Sequence, residues 1–363
     1  MVFLFSFFSG FPLYSLALTE PQAHSTSSAE PDVHHEEEFN AGTMIIEHVI
    51  DAHEWHIIST PGKDVSIPLP VILLDQGKLH VFMSSRFHHG TASYRGFKLE
   101  EEGKNKGKIV RVKGDTMEAD EQAPLPLDFS ITKNVFALFI SCILICIIFI
   151  SVARAYRKRE YHAPRGLQSL LEPVILFVQD LAKSSIGENK YERFMPYLLT
   201  LFFFIFLNNL IGIIPFFPGG ANVTGNIAVT GVMALITFIV TSFSANRNYW
   251  KHIVNTPGVP WWLKFPFPLM PVVEILGVFT KPFILMIRLF ANITAGHIII
   301  LGFISLIFIF GQMNVALGYG ISVVSILFAV FMGLLELLVA FIQAYVFTLL
   351  SALYVGMAME EHH

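Results

Sequence analysis

From Val135 to its end the chain is dominated by apolar positions, gathered in runs too long for a soluble core and parted by short polar interruptions. The first run, Val135 to Val152, predicts one N-terminal membrane span. Leu167 to Ala182 sets apolar and polar residues at helical spacing and is too polar to span, so it predicts an interfacial helix. Met195 to Phe217 and Ile227 to Ser242 predict a transmembrane hairpin around the uncharged turn Gly219 to Asn226. The last two runs, Glu274 to Phe310 and Asn314 to Met359, would measure on the order of 55 to 65 Å as helices, against a hydrocarbon core of about 30 Å. The only turn signal near them is the uncharged Gly311 to Gly320 stretch that parts them. They therefore predict a long, steeply tilted helical hairpin, which needs another intramembrane surface to lie against. The fold class read from this pattern is an all-α integral membrane protein with a small β-containing extramembranous region at its N-terminal side.

That region comes first in the chain. Met1 to Leu18 is apolar and aromatic without a preceding Lys or Arg, and reads as a secretory signal, a misplaced start or a short anchor being the alternatives. Residues 19–38 are polar and acidic without periodicity and read as a disordered linker. Residues 39–128 form an extension whose runs Val65 to Leu74, Leu79 to Met83 and Lys108 to Lys113 predict short strands, with turns at Gly77, Gly96, Gly107 and Gly114. His48, Asp51, His53 and His56 are of metal-ligand type. Their spacing matches no fixed signature, however, and one short helix cannot aim all four at one ion, so they read as surface histidines. Residues 129–363 form the membrane domain.

Charge orients these elements. Arg154, Arg157, Lys158, Arg159 and Arg165 follow the first span at once, which predicts that side as cytoplasmic, the extension as extracytoplasmic and the C-terminus as cytoplasmic. Trp250, Trp261, Trp262 and the link Pro257 to Pro271 read as an interfacial belt. A charged content of 14%, against about a quarter in soluble domains, agrees with membrane residence. A net charge of −4, with Lys and Arg confined to short inter-span segments, gives no ground for a nucleic-acid partner. Cys142 and Cys146 sit one turn apart in an apolar run and read as thiols.

Few polar groups interrupt the long runs. Arg288 stands well inside the first, where an unpaired guanidinium costs roughly 2.5 to 3.5 kcal/mol at a helix centre. Asn292 lies one turn along on its face, Lys281 and Glu274 lie one and two heptads behind, and His297 points the opposite way. Pro282 is only six residues from Arg288, so a guanidinium snorkelling to the interface is the plain alternative. In the second run Glu336, Gln343 and Tyr354 share a helical stripe that would face the helix of Arg288. Acid, imidazole and amide groups in a membrane interior suit proton hand-off near neutral pH. A helix–helix hydrogen bond, or shielding by lipid head groups, is the alternative for Glu336. An arginine cannot relay protons there, because its pKa exceeds about 12. Its role is electrostatic.

Three stretches carry a resemblance: Phe-Leu-Asn-Asn-Leu-Ile-Gly-Ile-Ile-Pro at 206–215, Lys-Pro-Phe-Ile-Leu-Met-Ile-Arg-Leu-Phe-Ala-Asn-Ile-Thr-Ala-Gly-His at 281–297, and Gln-Ala-Tyr-Val-Phe-Thr-Leu-Leu-Ser-Ala-Leu-Tyr at 343–354. Over about residues 130–360 the chain resembles the membrane stator subunit a of the F-type ATP synthase, in its bacterial form, with a long N-terminal extension. The resemblance implies that Arg288 faces a rotating ring of c subunits between two offset half-channels, with Gln343 and Asn292 as neighbouring amides. It implies His297 and Glu336 as the pair lining the half-channel away from F1, in the exchanged order relative to some bacterial relatives. Glu274 matches the acid of the half-channel on the F1 side, and Asn209 a polar residue of the second span. Gly212 stands where some relatives carry an acid, which leaves nothing to assign there. Implied partners are the c-ring, the b-subunit peripheral stalk, F1 indirectly, and lipid of the bacterial inner membrane. No cofactor and no catalysis by the chain alone are implied. The rival is a secondary transporter that binds an anionic substrate with Arg288, which predicts an internal repeat with paired broken helices. A membrane-anchored binding protein centred on residues 39–128 would leave the intramembrane polar groups without a function.

Overall fold

The computed structural model describes residues 41–42, 45, 51–60, 63–100, 105–113, 119–120, 123–158, 163–214, 219–254 and 269–360. The predicted signal and linker lie outside these, as do His48, Gly114, Arg159, Pro215, Trp261 and Trp262.

The extension is built from short antiparallel strands. Strands β1 (Glu54–Thr60) and β2 (Lys63–Pro68) pair as a hairpin, and β3 (Pro70–Asp75) lies between β4 (Lys78–Met83) and β7 (Leu127–Asp128). Strands β5 (Phe97–Leu99) and β6 (Ile109–Arg111) form a third pair. Asp75 opposes Lys78 across a two-residue turn in which Gln76 and Gly77 both take positive φ, the geometry that suits a tight hairpin. Alternation then sends Val71, Leu73 and Phe82 inward to meet Phe87, Phe97 and Ile109 in one small core. The run Val65 to Leu74 is two strands, not one. Proline on either side of Leu69 removes two ladder donors, and Leu69 itself exchanges hydrogen bonds with Ser84, N–H to Oγ and O to N–H, each at 3.0 Å.

One expectation for this region is corrected. His53 is buried, and its Nε2 lies 2.8 Å from Asp128 Oδ2. Burial by itself would raise the Asp128 carboxyl, yet hydrogen bonds from His53 and Ser130 outweigh it and hold the group below the ordinary carboxylate value. Asp51 does different work. Its carboxylate accepts from the Thr132 hydroxyl (2.7 Å) and the Asn134 N–H (3.0 Å), and so satisfies otherwise orphaned donors at the start of the first span.

That span is α1 (Lys133–Lys158); α2 (Leu167–Ile186), α3 (Tyr191–Ile213), α4 (Ile227–Ser244) and a short α5 (Arg247–Val254) follow. The chain closes with α6 (Leu269–Met313) and α7 (Val315–Met359), each 45 residues and unbroken, hence about 67 Å long at 1.5 Å per residue. A bilayer takes such helices only at a steep tilt or with their ends projecting. The turn between them is shorter than expected, since Asn314 alone lies between the two helices. Its side chain caps α7 by accepting from Ala316 N–H at 2.9 Å. Gly318 lets the helices close at the tip, because a Cβ there would sit 2.8 Å from Gly311 Cα.

Helix α7 packs against every helix from α2 to α6 and gathers the core of the membrane domain. Leu198, Phe202, Phe203 and Ile205 of α3 are buried there with Leu285, Leu289 and Ile293 of α6 and Phe347, Ala352 and Val355 of α7. Among the described residues, five helices are long and apolar enough to cross a membrane. Their outward sides stay apolar, with Ile143, Val323 and Leu327 exposed, a surface suited to lipid. The two ends of this bundle differ. At one, Trp55 and the hairpin β1–β2 rest on the start of α1 and on the α3–α4 loop. At the other, Asn246 binds the Ala358 and Met359 carbonyls at 2.9 Å, and Gly356 packs on the Ser185 carbonyl at the end of α2.

Candidate functional site: two polar clusters flanking an arginine

The contacts Gly311 to Gly318 and Gly296 to Glu336 run antiparallel along the hairpin, and Lys281 meets the Tyr354 ring at 5.4 Å. This register sets Gln343 of α7 level with the turn of α6 that holds Leu289 to Asn292. Gln343 is buried, whereas Arg288 and Asn292 both lie on the exposed side of α6. Arg288 makes no hydrogen bond and no ion pair with any described residue. A permanent charge near the middle of an apolar helix is thus left without an anion among the described residues.

One cluster lies toward the β-rich end. Glu336 comes off α7 with 4% of its side chain exposed, and its Oε1 lies 2.8 Å from His297 Nδ1 of α6. The approach is close but off the ring N–H direction, and neither carboxylate oxygen receives an aligned hydrogen bond from a described residue. The short separation shows two groups held together, and the missing alignment leaves lone pairs for a further donor. Gly296 makes the room: a Cβ there would lie 3.0 Å from Glu336 Oε1. On the other side of the imidazole, a Cβ at Gly212 of α3 would lie 3.7 Å from His297 Nε2. Asn209, three residues before Gly212, accepts from the Thr224 hydroxyl at 2.5 Å, and its buried Nδ2 has no hydrogen-bond partner among the described residues.

A second cluster lies at the opposite end, where α4, α5, α6 and α7 meet. Lys281, Thr237, Thr241, Tyr249 and Tyr354 border a cavity of about 20 Å³, enough for one water. The Tyr249 hydroxyl is pushed up, first by burial and then by the nearby charge of Glu274. Glu274, Lys281 and Arg288 stand a heptad apart, yet only Arg288 is fully on the outer face. A helical stripe drifts by about 20° per heptad, which turns the earlier two toward the bundle. Glu336 and Tyr354 both face α6, as their periodicity predicts, but eighteen residues separate them by about 27 Å. They belong to different clusters.

Spacing did not single out Gly296, Thr224 or Tyr249. Gly296 had a legible signal, a glycine immediately before the histidine. Thr224 and Tyr249 reach their clusters from other elements and had none. Chemically, the arrangement holds two sets of proton-exchanging and water-binding groups at opposite ends of the hairpin, parted by a fixed positive charge that cannot exchange protons.

Comparison with known proteins bears on both parts of the chain. A family model described as "ATP synthase A chain" matches residues 135–356, and one described as "Domain of unknown function" matches residues 44–129. The chain is 45% identical over 244 residues to ATP synthase subunit a of Chloroherpeton thalassium, covering 65% of this chain and 69% of that protein. It is 47% identical over 238 residues to ATP synthase subunit a 2 of Chlorobaculum tepidum, 64% of each chain. With ATP synthase subunit a of Myxococcus xanthus it shares 44% identity over 247 residues, 65% of this chain and 76% of the other.

Proposed function

Since the chain belongs to the ATP synthase A chain family, a multi-pass membrane component of the F0 sector without catalysis of its own, we propose that it carries ions past a c-subunit ring through two offset half-channels. The observation that carries this reading is Arg288, exposed near mid-helix with no anion among the described residues. Its partner on this reading is the carboxylate of a passing c subunit. Electrostatic attraction favours the ionised carboxylate, so the proton leaves as the site nears Arg288, and the fixed charge blocks a direct leak between the half-channels.

The half-channel on the β-rich side uses His297 and Glu336, with Asn209 and its Thr224 partner beside them. A proton taken up by this pair passes to a c-subunit carboxylate, travels round the ring and leaves through the cluster near Glu274, Lys281 and Tyr354. Gln343 and Asn292 supply amides level with the arginine. The basic residues Arg154, Arg157 and Lys158 at the far end of α1 support a cytoplasmic placement of that end in a bacterial inner membrane. The extension is then extracytoplasmic and follows a signal segment over residues 1–18 and a linker over 19–38. The b-subunit stalk and, indirectly, F1 complete the partners. The secondary-transporter reading calls for paired broken helices, whereas α6 and α7 are continuous over 45 residues each.

The test is ATP-driven proton pumping in assembled complexes carrying Arg288→Ala or Arg288→Lys. Both should abolish pumping, since Ala removes the charge and Lys presents a hydrated point charge in place of a planar fork. Near-normal pumping in either would sink the reading.

A further inference from the structure

The β-rich region has no assigned task in a family whose matched model begins at residue 135. It is joined to the membrane domain by specific hydrogen bonds. Besides the Asp51 cap, Lys133 N–H donates to the Ala52 carbonyl at 2.8 Å, and the His53–Asp128 contact ties β1 to the strand that leads into α1. Two residues after His53, Trp55 is 4% exposed and lies edge-on to Phe136, with centroids 6.0 Å apart. It shares a small apolar cluster with Ala137 and with Ala221 and Val223 of the α3–α4 loop.

That loop reaches the first polar cluster. Thr224 binds Asn209, and a Cβ at Gly212 would lie between the Ala221 carbonyl (3.6 Å) and His297 Nε2 (3.7 Å). Four successive residues of this loop, Ala221 to Thr224, are buried, so its position depends on what packs over it. The apolar cluster that holds Trp55, Ala221 and Val223 therefore adjoins Gly212, which in turn lies beside the His297–Glu336 pair.

We propose that the β-rich region is a collar on the mouth of the ion path, in which Trp55 is a positioning residue that seats the α3–α4 loop and so fixes the space beside His297. Without the indole, the loop loses the apolar face that Ala221 and Val223 pack against, and the Asn209–Thr224 pair shifts with it. The inference rests on the reading of His297 and Glu336 as a half-channel. It assigns residues 44–129 a role in ion access that does not require contact with the ion.

The experiment measures passive proton conduction through F0 in membranes stripped of F1, driven by a potassium diffusion potential and normalised to assembled complex. The variants are Trp55→Ala, Trp55→Phe, Val223→Ala and His297→Ala. Misplacement near reacting groups by on the order of 1 Å costs up to about 10²-fold, so Trp55→Ala should lower conduction about tenfold. Val223→Ala, which trims the same contact from the loop side, should lower it in the same direction, and Trp55→Phe should keep more than half. Rescue by Phe separates seating of the loop from a general need for a folded extension. Unchanged or raised conduction in Trp55→Ala and Val223→Ala, with His297→Ala inactive, overturns the collar and leaves the half-channel standing. Normal conduction in His297→Ala overturns both. If Trp55→Ala does not assemble, Val223→Ala decides by the same criterion.

Discussion

Replacing Gly296 by alanine puts one methyl group against the His297–Glu336 pair. The new Cβ would sit 3.0 Å from Glu336 Oε1, 3.3 Å from its Cδ and 3.5 Å from its Cγ. The first two contacts are tight, and both fall on the carboxylate end of a side chain that can rotate, so the carboxylate yields by a few tenths of an ångström and the helices stay in place. Overpacking ordinarily costs about 1 to 3 kcal/mol. Alanine in place of glycine within a helix returns about 1 kcal/mol. Stability of the membrane domain should therefore change by no more than about 2 kcal/mol. The carboxylate, however, moves relative to Nδ1, from which it now lies 2.8 Å. ATP-driven pumping in proteoliposomes should fall several-fold, while the yield of assembled complex and its thermal midpoint stay close to those of the unaltered protein. Full pumping in Gly296→Ala would refute the claim that this close fit matters for transfer. Loss of assembly would show that the glycine serves helix packing instead.

Two further outcomes follow from contacts elsewhere. The folded Asp128 carboxyl is depressed from its ordinary 3.8, so its ionised form stabilises the extension at higher pH. That contribution is lost as pH falls below about 4 and through the folded value. Acid titration followed by tryptophan emission should show a transition there that Asp128→Asn lacks, and coincident curves would argue against it. Gly356→Ala should prevent proper docking of α7 on α2, since its Cβ would overlap the Ser185 carbonyl, backbone that cannot rotate away. The amount of folded protein recovered from membranes, measured against Gly277→Ala, where a Cβ meets nothing within 4 Å, checks this.

The spans were legible because hydropathy is a local property, and the long hairpin because no polar break interrupts either run. Its turn was drawn too long. Gly318 and Gly320 look like breakers, yet Gly318 is helical and earns its place by close approach to Gly311. Spacing alone makes His53 a surface residue, because its partner Asp128 lies 75 residues away, beyond any spacing rule. The pairing of His297 with Glu336 came from the family resemblance, and their 2.8 Å separation is a feature of the hairpin's antiparallel register. Glu274, Lys281 and Arg288 look equivalent by heptad spacing. Accumulated drift sends two of them inward and leaves one outside, a distinction that needs the packed bundle to appear.

The single-residue turn at Asn314 has a mechanical consequence. With Gly311 against Gly318 at the tip and Glu336 seated beside Gly296 farther down, neither long helix can slide along the other without breaking contacts at both levels. The two behave as one laminated beam, stiffer in bending than either rod alone. Its weakest section is at Pro282, where the missing N–H leaves the Val278 carbonyl without its helical donor. A sideways load on the exposed face near Arg288 would therefore be shared by both helices and taken up as flexure on the Lys281 side, while the spacing of the acid and imidazole stays fixed.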